Sequence, residues 1–375
     1  MESTTSQRAP ATPGRGGEAG LARRASRAHL IPRRLYPVFL VVLTAALVLT
    51  VLAAISVGSV SLPLGTVWAV MLDRSLGIDT GVQIDPRDSA IIWNFRAPRA
   101  LLGVVVGAAL AVAGAALQAL VRNPLADPYV LGVVQGGSLG AVLVLALGTA
   151  AIGKLALSGV AFVGATLALL LVLVFSRRRG RVSPARLILA GVAVGYVFQA
   201  ATSFIQLRMI DGQSMAGVVF WLLGTLAAAS WRDLGVPTVV MLACSAWLLA
   251  QYRTLNALLM GEDAAVALGV KVSSFRLQLA VVASVLTASV VAIAGGIGFV
   301  GLMIPHTARL LVGADHRRLL PVTALGGALF LVLVDLVGRV VMRPLEIPLS
   351  VITAAIGGPV FLWLMNRSER TPGVS

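Results

Sequence analysis

The chain has 375 residues, enough for two or three soluble domains, yet 58% of them are hydrophobic and only 12% are charged. A soluble domain carries about 25% charged residues, and the mean hydropathy of +0.93 belongs to an integral membrane protein. The formal charge of +15 raises nucleic acid as a partner. Most of the Lys and Arg, however, fall in alternate loops between apolar runs, the bias that orients membrane proteins with their basic loops inside, so no nucleic-acid partner is expected. The single cysteine, Cys244, rules out an intrachain disulfide and gives no support to a metal site.

In chain order, residues 1–36 are rich in Gly, Pro, Ser and Thr, carry seven arginines and show no apolar period. They read as a disordered cytoplasmic tail. The apolar run from Val38 to Val57 is too long for an ordinary signal core and is followed by no clear small-x-small cleavage site, so an uncleaved first span is expected. Residues 58–95 form an outer segment ending in Trp93-Asn94-Phe95, aromatics suited to an interface. The second span, about 99–121, is followed by the break Asn123-Pro124-Leu125-Ala126-Asp127-Pro128 and a third span at about 129–149. Lys154 marks an outer turn, the fourth span runs over about 155–175, and Arg177-Arg178-Arg179-Gly180-Arg181 holds the next loop inside. The fifth span covers about 185–207, Asp211-Gly212 breaks the helix, and residues 217–229 predict a short outer helix.

The sixth span is about 234–251. Residues 252–273 form the longest interior connection, with a helical pattern from Leu255 to Leu268. Four further spans follow at about 275–294, 297–313, 319–341 and 346–366. Each run is long enough, or nearly so, to cross the hydrocarbon core as a helix. Ten crossings return the C-terminus to the side of the N-terminus, with Arg367 and Arg370 in the short tail 367–375. The organisation is therefore a membrane domain over 37–366 between two cytoplasmic tails. Small residues at helical spacing (Gly103 and Gly107; Gly132, Gly136 and Gly140; Gly191 and Gly195) suit close helix packing. Gly295-Gly296, Pro305 and Gly357-Gly358-Pro359 predict bent or broken helices.

Several motif matches fail their structural context. Gly296 to Gly301 fits G-x-G-x-x-G but lies between two spans, with no strand before it and no acidic residue about twenty positions on. Gly136 to Gly140 fits the nucleophile-elbow spacing around Ser138, with no α/β sheet to hold it. Asn366-Arg367-Ser368 fits a glycosylation sequon on the interior face. With no G-x-x-x-x-G-K-[ST], hydrolysis of ATP would fall to another polypeptide, and no catalytic residue is assigned.

Two sets of charges need a reason. Asp335 and Arg339 sit four residues apart on one helix face inside the ninth span, where an ionised group costs about 2.5–3.5 kcal/mol unless it is paired or faces a cavity. One reading is a self-satisfied pair; the other is an outer site, with Arg96, Arg99, Arg339 and Arg343 gathered against the positive-inside trend to dock an acidic surface. The interior stretch Gly261-Glu262-Asp263-Ala264-Ala265-Val266-Ala267-Leu268-Gly269 has acids at its start and a closing glycine. It predicts a short capped helix, the natural lever for a cytoplasmic partner.

Taken together, Arg96-Ala-Pro-Arg99, Gly107 to Gly114, Gln118, Asn123 to Pro128, Leu189-Ala-Gly191, Phe220-Trp221, Gly261 to Gly269, Gly295 to Gly301, Pro305-His306 and Gly357-Gly-Pro359 resemble the FecCD family of ATP-binding-cassette importer permeases, in order and spacing. The resemblance spans about residues 40–366 and implies an all-α membrane protein of the type II importer architecture. That architecture has about ten transmembrane helices, with spans 2–5 and 7–10 as an inverted repeat. It further implies a second permease subunit, identical or paralogous, two ATPase subunits inside, and a solute-binding protein outside the bacterial cytoplasmic membrane. ATP and Mg would belong to the ATPase partners, with no cofactor or metal in this chain.

Carried over by position, Arg96, Arg99 and Arg339 resemble arginines that meet the binding protein. Gly261, Glu262, Asp263, Ala264, Ala265, Leu268 and Gly269 resemble the loop that couples to the ATPase. Asn123 and Leu125, with Ser183, Pro184 and Ala185, resemble layers of the cytoplasmic gate; in the cobalamin-type member the latter loop is hydroxyl-rich, and here Pro184 and Ala185 replace two of those positions. The expected cargo is a ferric siderophore, with haem and cobalamin as alternatives. The rival class, an ion-coupled secondary transporter, would need an intramembrane carboxylate, for which Asp335 is the clear candidate.

Overall fold

The computed structural model describes residues 30–58, 62–147, 154–178, 181–208 and 212–369. Most of the expected N-terminal tail, residues 370–375, the turn before Lys154 and Asp211 of the expected helix break lie outside the described residues. The last part of the N-terminal segment is held in place. Leu30 and Ile31 donate backbone N–H groups to the carbonyls of Leu310 and Leu311, and a short 3-10 turn at Arg33–Leu35 leads into the first helix.

The helices are α1 Tyr36–Ser56, α2 Leu64–Leu76, α3 Pro86–Ala90, α4 Ala97–Val121, α5 Val133–Leu147, α6 Lys154–Ser176, α7 Pro184–Gln206 and α8 Gly212–Leu222. There follow α9 Trp231–Ala250, α10 Tyr252–Leu259, α11 Glu262–Ala267, α12 Val272–Ala294, α13 Val300–Val312, α14 His316–Val340 and α15 Leu349–Glu369. A π-helical stretch, Ile91–Arg96, joins α3 to α4, and a two-residue antiparallel pairing of Arg177–Arg178 with Arg181–Val182 turns α6 into α7.

Among the described residues, seven helices are long and apolar enough to cross a membrane: those ending at Ser56, Val121, Ser176, Gln206, Ala250, Ala294 and Val340. Three shorter apolar helices, Val133–Leu147, Val300–Val312 and Leu349–Trp363, complete ten, in the order and places the sequence predicts. The short ones are those flanked by helix breaks.

Packing follows a two-fold plan. α4 lies along α14 as α12 lies along α6, and α5 packs on α6 as α13 packs on α14. α4 also meets α13, and α12 meets α5. This is the inverted repeat of spans 2–5 and 7–10. At its centre is α4, with 89% of its apolar window buried, against 17% for α1 and α9. Sequence explains the difference. The inner helix is rich in Gly and Ala, so backbones can approach: a Cβ on Gly107 would run into the Gly327 carbonyl, and one on Gly114 into the Gly301 carbonyl. The peripheral helices turn large side chains outward, among them Val41, Leu49, Val236 and Val239, the surface lipid covers in an integral membrane protein.

A proline inside a helix frees a backbone carbonyl that needs another donor, and α13 continues through Pro305. Pro305 cannot donate to Gly301, four residues back. Gln118 of α4 supplies the missing donor, its Nε2 lying 3.4 Å from the Gly301 carbonyl and 3.1 Å from that of Leu302. Arg309 in turn donates to Gln118 Oε1 at 3.2 Å.

Candidate functional site

The structure brings Arg96, Arg99, Arg339 and Arg343 together at the start of α4 and the end of α14, around a recess of about 260 Å³. Three of them are tied to the chain. Arg99 grips two carboxylates, donating to Asp335 Oδ1 at 2.8 Å and to Glu346 Oε1 and Oε2 at 2.8 and 3.0 Å. Arg339 stands one helical turn from Asp335 with Nη2 3.1 Å from Oδ2, as an ion pair without hydrogen-bond alignment. Its Nη1 donates to the Ala54 carbonyl at 3.0 Å. Arg96 donates to the carbonyls of Ser56 at 2.7 Å and Ile55 at 3.2 Å, at the last turn of α1.

The π-helical stretch Ile91–Arg96 precedes this cluster and carries Arg96 at its end. Asp335 is 2% exposed and Glu346 38%, so the shared carboxylate is internal and the second one rims the recess. Four arginines face two carboxylates, and Arg343 stands exposed at the edge. The site therefore presents excess positive charge in a concave, partly desolvated setting, which suits a carboxylate from outside the chain.

At the opposite end of α4, α10 and α11 project from the membrane helices. The sequence suggests one helical pattern from Leu255 to Leu268; the structure divides it at Gly261, whose φ of 113° is open to glycine and strained for other residues. Glu262 pairs with Arg276 of α12 at 3.0 Å and Ala265 is fully buried, so one side of α11 is anchored. Gly269, at φ 82°, closes the turn. Met260, Val266 and Leu268 are 72%, 57% and 65% exposed and form an apolar knob, with Asp263 exposed beside it.

Behind the knob, Asn256 clamps α10 to α14: Nδ2 donates to Asp315 Oδ1 at 2.8 Å, and Oδ1 accepts from the His316 backbone N–H at 3.0 Å. Burial pushes the Asp315 carboxyl up, but the hydrogen bonds from Asn256 and the Arg317 N–H, with Arg318 nearby, leave it below the usual range. Its negative charge is thus secured at the start of α14, where it caps the helix.

The expected gate residues occupy two turns. Asn123 Oδ1 accepts from Leu125 N–H at 2.9 Å in the exposed turn after α4. Ser183, Pro184 and Ala185 open α7, with Ser183 extended at the N-cap, Pro184 in the first turn, and Ser183 and Ala185 exposed.

A family model described as the FecCD transport family matches residues 46–367. The chain belongs to the FecCD transport family. The cobalamin import system permease protein BtuC of Halobacterium salinarum is 43% identical over 279 residues, 74% of each protein. The molybdate import system permease protein MolB of Haemophilus influenzae is 38% identical over 335 residues, 89% of this chain and 97% of that one. A solved structure described as an inward-facing metal-chelate type ABC transporter superposes with a TM-score of 0.77 at 37% identity, covering 88% of this chain and 99% of its own. This FecCD chain is thus an ABC importer permease, a transport component embedded in a membrane.

Sequence reasoning missed two parts of the FecCD site. Glu346 completes the arginine recess, but it lies 247 positions from Arg99 and shows no local periodic relation to it. Asn256 gave no signal either; a lone Asn at the start of a helical pattern reads as a solvated residue until α14 is packed against it.

Proposed function

We propose that this chain is the permease subunit of an ATP-driven importer carrying ferric siderophores across the bacterial cytoplasmic membrane, with both termini on the cytoplasmic side. A solute-binding protein docks on the arginine recess, a second permease subunit completes the path, and two ATPase subunits bearing ATP and Mg engage α11. The observation that carries this reading is the pairing, through one central helix, of a recessed basic site at one end with an anchored apolar knob at the other. ATP-driven closure of the ATPases would displace α11, and the helices would switch between outward and inward openings. For that, each partner must bind one conformation better than the other. The metal-chelate type neighbour supports a chelate cargo. Cobalamin is the second reading, favoured by the halobacterial relative, while Pro184 and Ala185 at the entrance of α7 weigh against it.

Arg343 gives the cleanest test of docking, because Arg99 and Arg339 are committed to Asp335 and reversing them would break the fold rather than the interface. Uptake of radiolabelled ferrichrome is measured in cells carrying the chain with its ATPase and binding protein. Arg343→Glu is expected to lower uptake at least tenfold while the ATPase still co-purifies. Unchanged uptake would remove the docking role; transport of cobalamin, haemin or molybdate in place of ferrichrome would replace the cargo.

A further inference from the structure

The two halves of the repeat break in corresponding places. Between α4 and α5 the chain leaves helix at Arg122 (φ 56°), runs through Asp127 and the 3-10 turn Pro128–Leu131, and re-enters helix after Gly132. Between α12 and α13 it leaves at Gly295 and re-enters after Phe299, whose φ of 67° is rare for an aromatic side chain. Both are connections between consecutive spans, and non-helical backbone within a membrane domain is tolerated where it is buried in protein or lines a cavity.

Here the two breaks touch. A Cβ on Gly301 would sit 2.8 Å from the Pro128 ring, and one on Gly296 would sit 2.7 Å from the Tyr129 hydroxyl. The start of α15 is stitched to the same point: Ser350 Oγ donates to the Gly296 carbonyl at 2.7 Å and accepts from the Gly298 N–H at 3.4 Å. The turn after α8 joins it, with Leu349 N–H on the Gly224 carbonyl at 3.0 Å and Thr225 N–H on the Ala294 carbonyl at 2.9 Å.

At this junction lies a cavity of about 450 Å³, within the range of small-ligand sites. Leu223, Phe299 and Leu302 supply apolar wall, and Asp127, Tyr129 and Ser350 supply three polar groups. Asp127 uses Oδ1 on the Tyr129 N–H at 2.8 Å. The Phe299 ring backs onto Gly357 in the middle of α15, where an added Cβ would lie 2.7 Å away. A wall of the cavity therefore rests on the Gly357-Gly358-Pro359 stretch of α15, which stays helical, so movement of α15 would reshape the space.

We infer that this cavity is a cargo-contact station, in which Asp127, Tyr129 and Ser350 receive a hydrogen-bond-donating group (hydroxyl, amide or ammonium) carried on the otherwise apolar periphery of the cargo. The carboxylate accepts, the Ser350 hydroxyl, whose proton is on the Gly296 carbonyl, only accepts, the Tyr129 hydroxyl accepts or donates, and the leucine and phenylalanine walls take the apolar body. The inference rests on the import reading above. Ion-pair partners of the kind that hold Asp335 are not found around Asp127 among the described residues.

The test uses the importer assembled from the full chain, its ATPase and its binding protein in proteoliposomes. Ferrichrome, haemin, cobalamin and molybdate are offered in parallel. Cys244→Ser removes the single native thiol and Ser350→Cys places one in the cavity. Asp127→Asn is measured separately, since asparagine keeps the acceptor for the Tyr129 N–H. The station predicts that the thiol at position 350 reacts with a maleimide, that the transported probe slows this reaction at least fivefold, and that Asp127→Asn raises the KM for that probe at least fivefold with kcat within twofold. A thiol that stays unreactive, or reacts at a rate the transported probe does not change, overturns the station, as does an unchanged KM. Failure of the import reading is distinguishable: the wild-type importer then moves none of the four probes under ATP, and the station falls with it.

Discussion

Asp335 holds two arginines, one from its own helix and one from 236 residues away. Removing one partner of a buried charge cluster leaves the others uncompensated, at a cost of about 3–5 kcal/mol. Asp335→Asn is therefore expected to lower the thermal unfolding temperature of the detergent-solubilised chain sharply. Glu346→Gln, at the more exposed end of the same cluster, should shift it far less. Equal shifts would show that the two carboxylates share the load. The Asp335–Arg339 half of this cluster was legible in the sequence, because four residues on a helix fix two side chains on one face. The Arg99–Asp335 and Arg99–Glu346 pairs were not, since they depend on which helices pack together. Gln118 stands between these cases: the need for a donor follows from Pro305, but the identity of the helix that brings it does not.

At the scale of elements, α11 was readable from its caps. The acids at its start and Gly269 at its end predicted a short helix, and Glu262–Ala267 is one. The wider helical pattern from Leu255 to Leu268 is divided at Gly261, where the capped helix was expected to begin, by a backbone angle suited to glycine. The same element carries the clearest test of coupling. Leu268→Asp puts a charge on the exposed knob without disturbing the buried Ala265, so the fold should persist while the ATPase chain is lost from affinity-purified complexes, by about tenfold. Retention of the ATPase at wild-type level would move the coupling contact elsewhere. The break elements follow a common logic. α5, α13 and α15 are the short apolar helices, and the segments that lead into them, with Asp127 and Tyr129, Phe299, and Ser350 at the first turn of α15, line one cavity. Gly and Pro positions announced the interruptions; their convergence on one cavity is a property of the packed repeat.

For the whole molecule, composition alone placed the chain in a membrane, and apolar run lengths gave the ten helices in order. The two-fold arrangement of those helices was implied by resemblance and is visible in the packing of α4 on α14 and α12 on α6. What the sequence could not give was the division of labour between ends, because exposure of the α11 knob and recession of the arginines are features of the folded surface. Those features fit the proposed reading of a conduit driven by separate partner chains. The most direct test is transport by the purified chain alone in sealed vesicles, compared with the same chain joined to its ATPase and binding protein, with labelled ferrichrome, haemin, cobalamin and molybdate as probes. The account predicts no accumulation against a gradient by the chain alone and ATP-dependent accumulation of a probe by the assembly; concentrative uptake by the chain without its partners would contradict it.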